Sequence, residues 1–205
     1  MMKKTLTIIM LLAGIPLAAQ AQWSANLNLG WLGNASPDWT QDFGDRPFSL
    51  WEGGSQAGIS FERRSRDWLA WGMAASYQRL GREPSGSAVD DGRTIAWSGQ
   101  GSWQVPVALY VRLIRPRAIM GTNLKLGLGA MASHLGRLEV SEDGAPVKVL
   151  AGTGETAYRP FGQIGAGIRL PVTARFGITV DYGYLSTFDR TVAEMPLVVG
   201  LEIDW

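Results

Sequence analysis

Pro196-Leu-Val-Val-Gly-Leu-Glu-Ile-Asp-Trp205 alternates strictly. Leu197, Val199, Leu201, Ile203 and Trp205 fall on one parity, and Val198, Gly200, Glu202 and Asp204 on the other. A β-strand sends successive side chains to opposite faces, so this segment has one apolar face and one face with two carboxylates. In a soluble sandwich the apolar face meets a second sheet. In a closed transmembrane barrel it meets lipid, and the polar face meets the lumen. The indole of Trp205 suits the second reading, because amphipathic rings favour the headgroup level.

The other end of the chain agrees. Met1 to Ala21 has the form of a secretory signal: Lys3 and Lys4 are its basic start, Thr5 to Leu17 its apolar centre, and Ala19-Gln20-Ala21 its small-residue cleavage site. The apolar run is too short to span a bilayer comfortably as a helix. The expected division is a signal peptide over 1–21, cleaved after Ala21, and one barrel domain over 22–205. Cysteine is absent, which excludes disulfide staples and thiolate metal sites. Cleavage removes two of the 19 basic residues and leaves 17 against 18 acidic ones, a formal charge of −1. That balance argues against nucleic acid as a partner.

Parity extends through seven earlier segments. Trp23, Ala25, Leu27, Leu29 and Trp31 alternate with Ser24, Asn26, Asn28 and Gly30. Ala57, Ile59 and Phe61 oppose Gln56, Ser60 and Glu62; Leu69 through Tyr77 oppose Gly72, Ser76 and Gln78. Trp97 to Leu113 is the longest run, with Pro106 inside it as a bulge or local bend. The remaining segments centre on Leu124 to Ala132, Ile164 to Leu170 and Phe176 to Tyr184. Eight antiparallel strands close without an edge. The connections 34–52, 81–95, 135–157 and 185–195 are long and polar, whereas 64–67, 114–118 and 171–174 are short. The expected fold is therefore all-β: an eight-stranded antiparallel up-and-down transmembrane barrel in the cell outer membrane, with long extracellular loops and short periplasmic turns. Trp31, Tyr77, Trp97, Tyr182 and Tyr184 at loop ends, and Trp23, Phe61, Phe176 and Trp205 at turn ends, form two expected aromatic girdles. Trp205 is also the expected assembly signal, read by the barrel-assembly machinery.

Three stretches carry a family resemblance. Ser102-Trp-Gln-Val-Pro-Val-Ala-Leu-Tyr-Val-Arg112, Leu126-Gly-Leu-Gly-Ala130, and Ile164-Gly-Ala-Gly-Ile-Arg-Leu-Pro171 through Asp181-Tyr-Gly-Tyr184 resemble strands of the outer-membrane β-barrel domain family common in Bacteroidetes. That family has an OmpX-like architecture and includes PorT-like secretion factors. The resemblance implies fold and location, and brings no catalytic motif with it.

On the lumen parity lie Glu62, Arg112, Lys125, Arg169, Arg175, Asp181, Glu202 and Asp204, four cations and four anions. An eight-stranded interior is just wide enough for side chains to fill. The expectation is a structural plug of paired charges, with Arg112, Arg169 and Arg175 each meeting a carboxylate. Nearer the loops the lumen residues turn to Gly, Ser, Gln and Asn, which predicts a shallow cavity open outward. A narrow pore for ions or small solutes is the alternative.

Ser133, His134 and Glu139 raise a second alternative, a lipid A-type hydrolase. Adjacent strand residues point to opposite faces, so serine and histidine do not naturally meet. The four long connections hold thirteen acids, Glu194 among them, against six bases. They suit lipopolysaccharide bridged by divalent ions, or a protein partner, as well as simple solvation. No loop has the spacing of a calcium site. No cofactor, metal or catalytic residue is expected, and function is expected to reside in the loops as surface interaction or envelope assembly.

Overall fold

The computed structural model describes residues 22–34, 40–43, 46–49, 53–80, 85–90, 92–115, 120–134, 136–150 and 154–205. The expected signal peptide lies outside them, as do the loop acids Asp38, Asp45, Glu52, Glu83 and Asp91. In chain order the strands are β1 (Trp23–Asn34), β2 (Thr40–Phe43), β3 (Arg46–Ser49), β4 (Gly54–Arg66), β5 (Leu69–Leu80), β6 (Ser85–Asp90), β7 (Arg93–Gly99), β8 (Ser102–Arg115), β9 (Gly121–His134), β10 (Leu138–Glu142), β11 (Ala145–Leu150), β12 (Thr156–Pro171), β13 (Phe176–Thr187) and β14 (Ala193–Asp204).

Eight of them close an antiparallel barrel in the order β1-β14-β13-β12-β9-β8-β5-β4. At the seam Trp23 N donates to Trp205 O over 3.1 Å, and Trp205 N donates to Trp23 O over 2.9 Å. Closure pairs every barrel strand on both sides and leaves no free edge. The register keeps the apolar parity together across strands: Leu27 stands opposite both Leu201 and Ile59. That parity points outward, leaving Leu29, Leu109 and Leu128 at 68%, 67% and 65% exposure. A continuous apolar surface of this kind on a closed barrel requires an apolar surrounding.

The structure corrects four expectations. The run Trp97 to Leu113 is two strands, because the ladder breaks between Gly99 and Ser102. There Gln100 N donates to Arg137 O, and Gly136 N donates to Ser102 Oγ. A Cβ on Gly136 would collide with the Gln100 carbonyl oxygen, so only glycine permits this crossing. Second, two connections carry a sheet of their own, ordered β11-β10-β7-β6, and β2 pairs with β3. Trp97 belongs to that sheet and is buried there over Gly86, so it is not a girdle residue.

Third, the connection 185–195 is mostly strand: β13 reaches Thr187 and β14 starts at Ala193, leaving a tight turn over 188–192. Fourth, Pro106 makes no bulge. β8 keeps one register against β9 throughout and against β5 on either side of the proline. Only Ser76 and Tyr77 lose their ladder partners, as a missing N–H dictates.

Candidate functional site

The inward parity builds the site. β8 and β14 are four places apart in an eight-strand ring and therefore face each other across the lumen. Near the short turns Arg112 of β8 reaches Glu202 of β14, with Nη2 to Oε2 at 3.0 Å, and holds Glu62 of β4 at 2.7 Å. Arg169 of β12 extends the chain through Nε to Glu202 Oε1 at 2.6 Å and Nη2 to Asp204 Oδ2 at 2.5 Å. Tyr110 Oη donates to Glu62 Oε2 over 3.2 Å, and Lys125 Nζ lies 4.0 Å from the centre of the Tyr110 ring. Asn123 Nδ2 donates to Asp181 Oδ1 at 3.4 Å. Glu62, Arg112 and Glu202 are buried, so every charge in this rung depends on its partners.

Eight residues along each strand is a second rung, which sequence reasoning missed. Gln104 of β8 donates through Nε2 to Glu194 Oε1 of β14 and to Gln78 Oε1, while Gln78 Nε2 donates to Gln56 Oε1 over 2.8 Å. Glu194 is thus a lumen carboxylate, 1% exposed, and not a loop acid. Extending the parity of Glu202 backward through Val198 and Pro196 would have found it. Around this rung Leu32, Leu80, Met131, Phe161, Leu185 and Val192 close into an apolar cluster. The lumen does not grade into an open polar mouth as expected. A cavity of about 120 Å³ lies between the two rungs, lined by Asn26, Asn28, Gln163, Lys125 and Asp181 among others. Gly165 and Gly183 of the inward parity are among its lining, and other inward glycines leave space for the polar side chains around it. A Cβ on Gly167 or Gly200 would collide with Asp181 or Asn26.

The expected charge group is brought together with one exception. Arg175 lies in the turn between β12 and β13, exposed, with its carbonyl accepting from Asp204 N. A turn residue sits beyond the pleat, where water solvates a guanidinium at no cost. On the outer surface Trp23, Phe61 and Phe176 stand exposed at the turn end, and Trp31, Tyr77, Tyr182 and Tyr184 at the loop end. Ser133 and His134 point apart. Ser133 Oγ is buried and accepts from Arg159 Nη1 over 2.6 Å, whereas His134 stacks outside the barrel on Trp103, ring centres 5.7 Å apart. Among the described residues no group of His, Cys, Asp or Glu is placed to hold a metal ion.

In the β13–β14 turn Asp189 accepts from Thr191 N and Oγ1 and pairs with Arg159. The hydroxyl of Thr187, then Thr191 and Arg159, hold its carboxyl down at about 2.

The chain has the fold of small outer-membrane barrels. It is similar to Neisserial surface protein A, with a TM-score of 0.55 at 10% identity, covering 90% of this chain and 97% of that one. It is similar also to a major outer-membrane protein of Thermus thermophilus, with a TM-score of 0.54 at 11% identity over 91% of this chain and 100% of that one. OprG from Pseudomonas aeruginosa gives 0.50 at 8% identity, over 90% and 96%. No protein-family model matches the sequence, and no curated protein matches it.

Proposed function

We propose that this chain is an exported outer-membrane barrel, cleaved after Ala21, that works without catalysis through the structure at its loop end. Surface interaction or envelope assembly is the class of role. The observation that carries this reading is the sheet β6-β7-β10-β11, which ties two separate connections into one ordered platform above a lumen bridged twice by buried side chains. An ordered platform presents side chains at low entropic cost, and a bridged lumen leaves the loops as the variable part. The outward apolar face supports the location, and outer-membrane lipid and lipopolysaccharide are its first partners. Trp205 serves as the signal for the barrel-assembly machinery. The strand Ser102 to Arg112 supports a place beside the PorT-like barrels.

The test is a photo-crosslinking residue at Val89, exposed at the tip of β6, against the same residue at Leu109 on the outer wall. In intact cells Val89 should yield protein or lipopolysaccharide adducts, and Leu109 only lipid. Lipid alone at both positions would refute a surface role for the platform. The cavity between the rungs favours a second reading, a narrow pore. Planar bilayers distinguish it, since the bridged lumen predicts no discrete conductance.

A further inference from the structure

The outward parity of the described barrel strands carries no carboxylate, yet it carries arginines at the turn end. Arg63 of β4 is the best placed. The register sets it directly opposite Trp23 of β1 on one side and Trp71 of β5 on the other. Its guanidinium carbon lies 5.8 Å from the centre of the Trp23 ring and 5.9 Å from that of Trp71. Beyond the bulge in β4, Arg66 repeats the arrangement over Trp68 at 5.9 Å. Arg63 has no carboxylate partner among the described residues.

Indole faces attract a guanidinium but leave its N–H groups, which lie in its own plane, free to donate. Two parallel N–H groups match two oxygens of a phosphate. A cation fixed on a lipid-facing surface without an internal partner needs an anion at the same depth. The next row toward the membrane centre, Ala25, Phe61 and Met73, is wholly apolar, with Phe61 and Met73 exposed and Ala25 half-buried, as acyl chains require.

We propose that Arg63, held between Trp23 and Trp71 and flanked by Arg66 on Trp68, binds the phosphate of an anionic phospholipid in the leaflet at the turn end. The site rests on the membrane-spanning reading above. Phosphatidylglycerol is the simplest ligand of the class, and its acyl chains would lie along Phe61 and Met73.

The test uses the mature chain refolded in detergent micelles, with native mass spectrometry counting bound dioleoyl phosphatidylglycerol against dioleoyl phosphatidylcholine. The wild type should prefer the anionic lipid, and Arg63→Gln should weaken that preference about tenfold, the worth of one charge-assisted contact. Arg63→Lys keeps the charge but loses the fork, so it should fall between them; it also keeps the test alive if the glutamine variant misfolds. Millimolar inorganic phosphate should not displace the lipid, and displacement would replace the lipid site by a free-phosphate site. Equal binding of the two lipids by the wild type, or an unchanged preference in both variants, would overturn the proposal. A barrel that inserts into vesicles without the preference overturns this site alone. A chain that inserts into no vesicle removes the membrane reading and the site together.

Discussion

Replacing Arg112 by methionine tests the lower rung most directly. The guanidinium is the one ion partner of Glu62 in the described structure, at 2.7 Å, while Glu202 keeps Arg169 at 2.6 Å. The variant therefore leaves one carboxylate, 4% exposed, without a counter-charge. Breaking a buried pair on one side costs about 3–5 kcal/mol. At a urea slope of about 1–3 kcal/mol per molar, the midpoint should fall by roughly 1–5 M. The assay is urea unfolding of the refolded barrel in micelles, followed by tryptophan fluorescence and by heat-modifiable mobility on gels. Converting Glu62 to glutamine in the same chain removes the orphaned charge, so the double variant Glu62→Gln/Arg112→Met should regain most of the loss. A single variant within about 1 kcal/mol of wild type would refute the reasoning, since surface-like pairs are worth no more than that. So would a double variant no better than the single one.

Glu202→Ala should lower the midpoint without opening a conductance, because Arg112 and Arg169 each lose one partner but keep Glu62 and Asp204 respectively; a channel in planar bilayers would count against the bridged lumen. Gly136→Val should disorder the platform and spare the barrel, since its Cβ would collide with Gln100 O. Limited proteolysis should then cut near β7 or β10 while heat-modifiable mobility stays unchanged, and an uncut platform would contradict the close approach. Asp189 titrates lower folded than unfolded, so its contribution is full above the ordinary aspartate pKa of about 4 and is lost as pH falls toward about 2. The side chain is half exposed, so the effect should stay under about 1 kcal/mol. Asp189→Asn should flatten that part of the stability profile, and a variant as steep as wild type between pH 4 and 2 would dismiss the role. Deleting Trp205 should lower the heat-modifiable fraction in cells, and an undiminished fraction would exclude it as the assembly signal.

The period of two along the chain decided on its own which side chains share a face, because the pleat couples parity to face without reference to any other strand. Leu197, Val199 and Leu201 share one face and Glu202 lies on the other for that reason alone, and closure of the barrel turns the first face outward. The same rule, carried to the loop ends, holds the sign of the apolar cluster: Leu32, Leu80, Met131 and Leu185 break the polar parity of their own strands. What parity does not contain is the neighbour across the lumen. Arg112 meets Glu202, and Gln104 meets Glu194, because closure sets β8 opposite β14 and the stagger brings those rows level. Nor does alternation distinguish one long strand from two joined at a crossing. Trp97 to Leu113 keeps one parity on both sides of Gly99-Gln-Gly101, and the approach of Gly136 to Gln100 hands Trp97 to a different sheet. Local periodicity is a property of one strand. Which charges pair, and where a cavity is left between them, follow from the order and register of all eight.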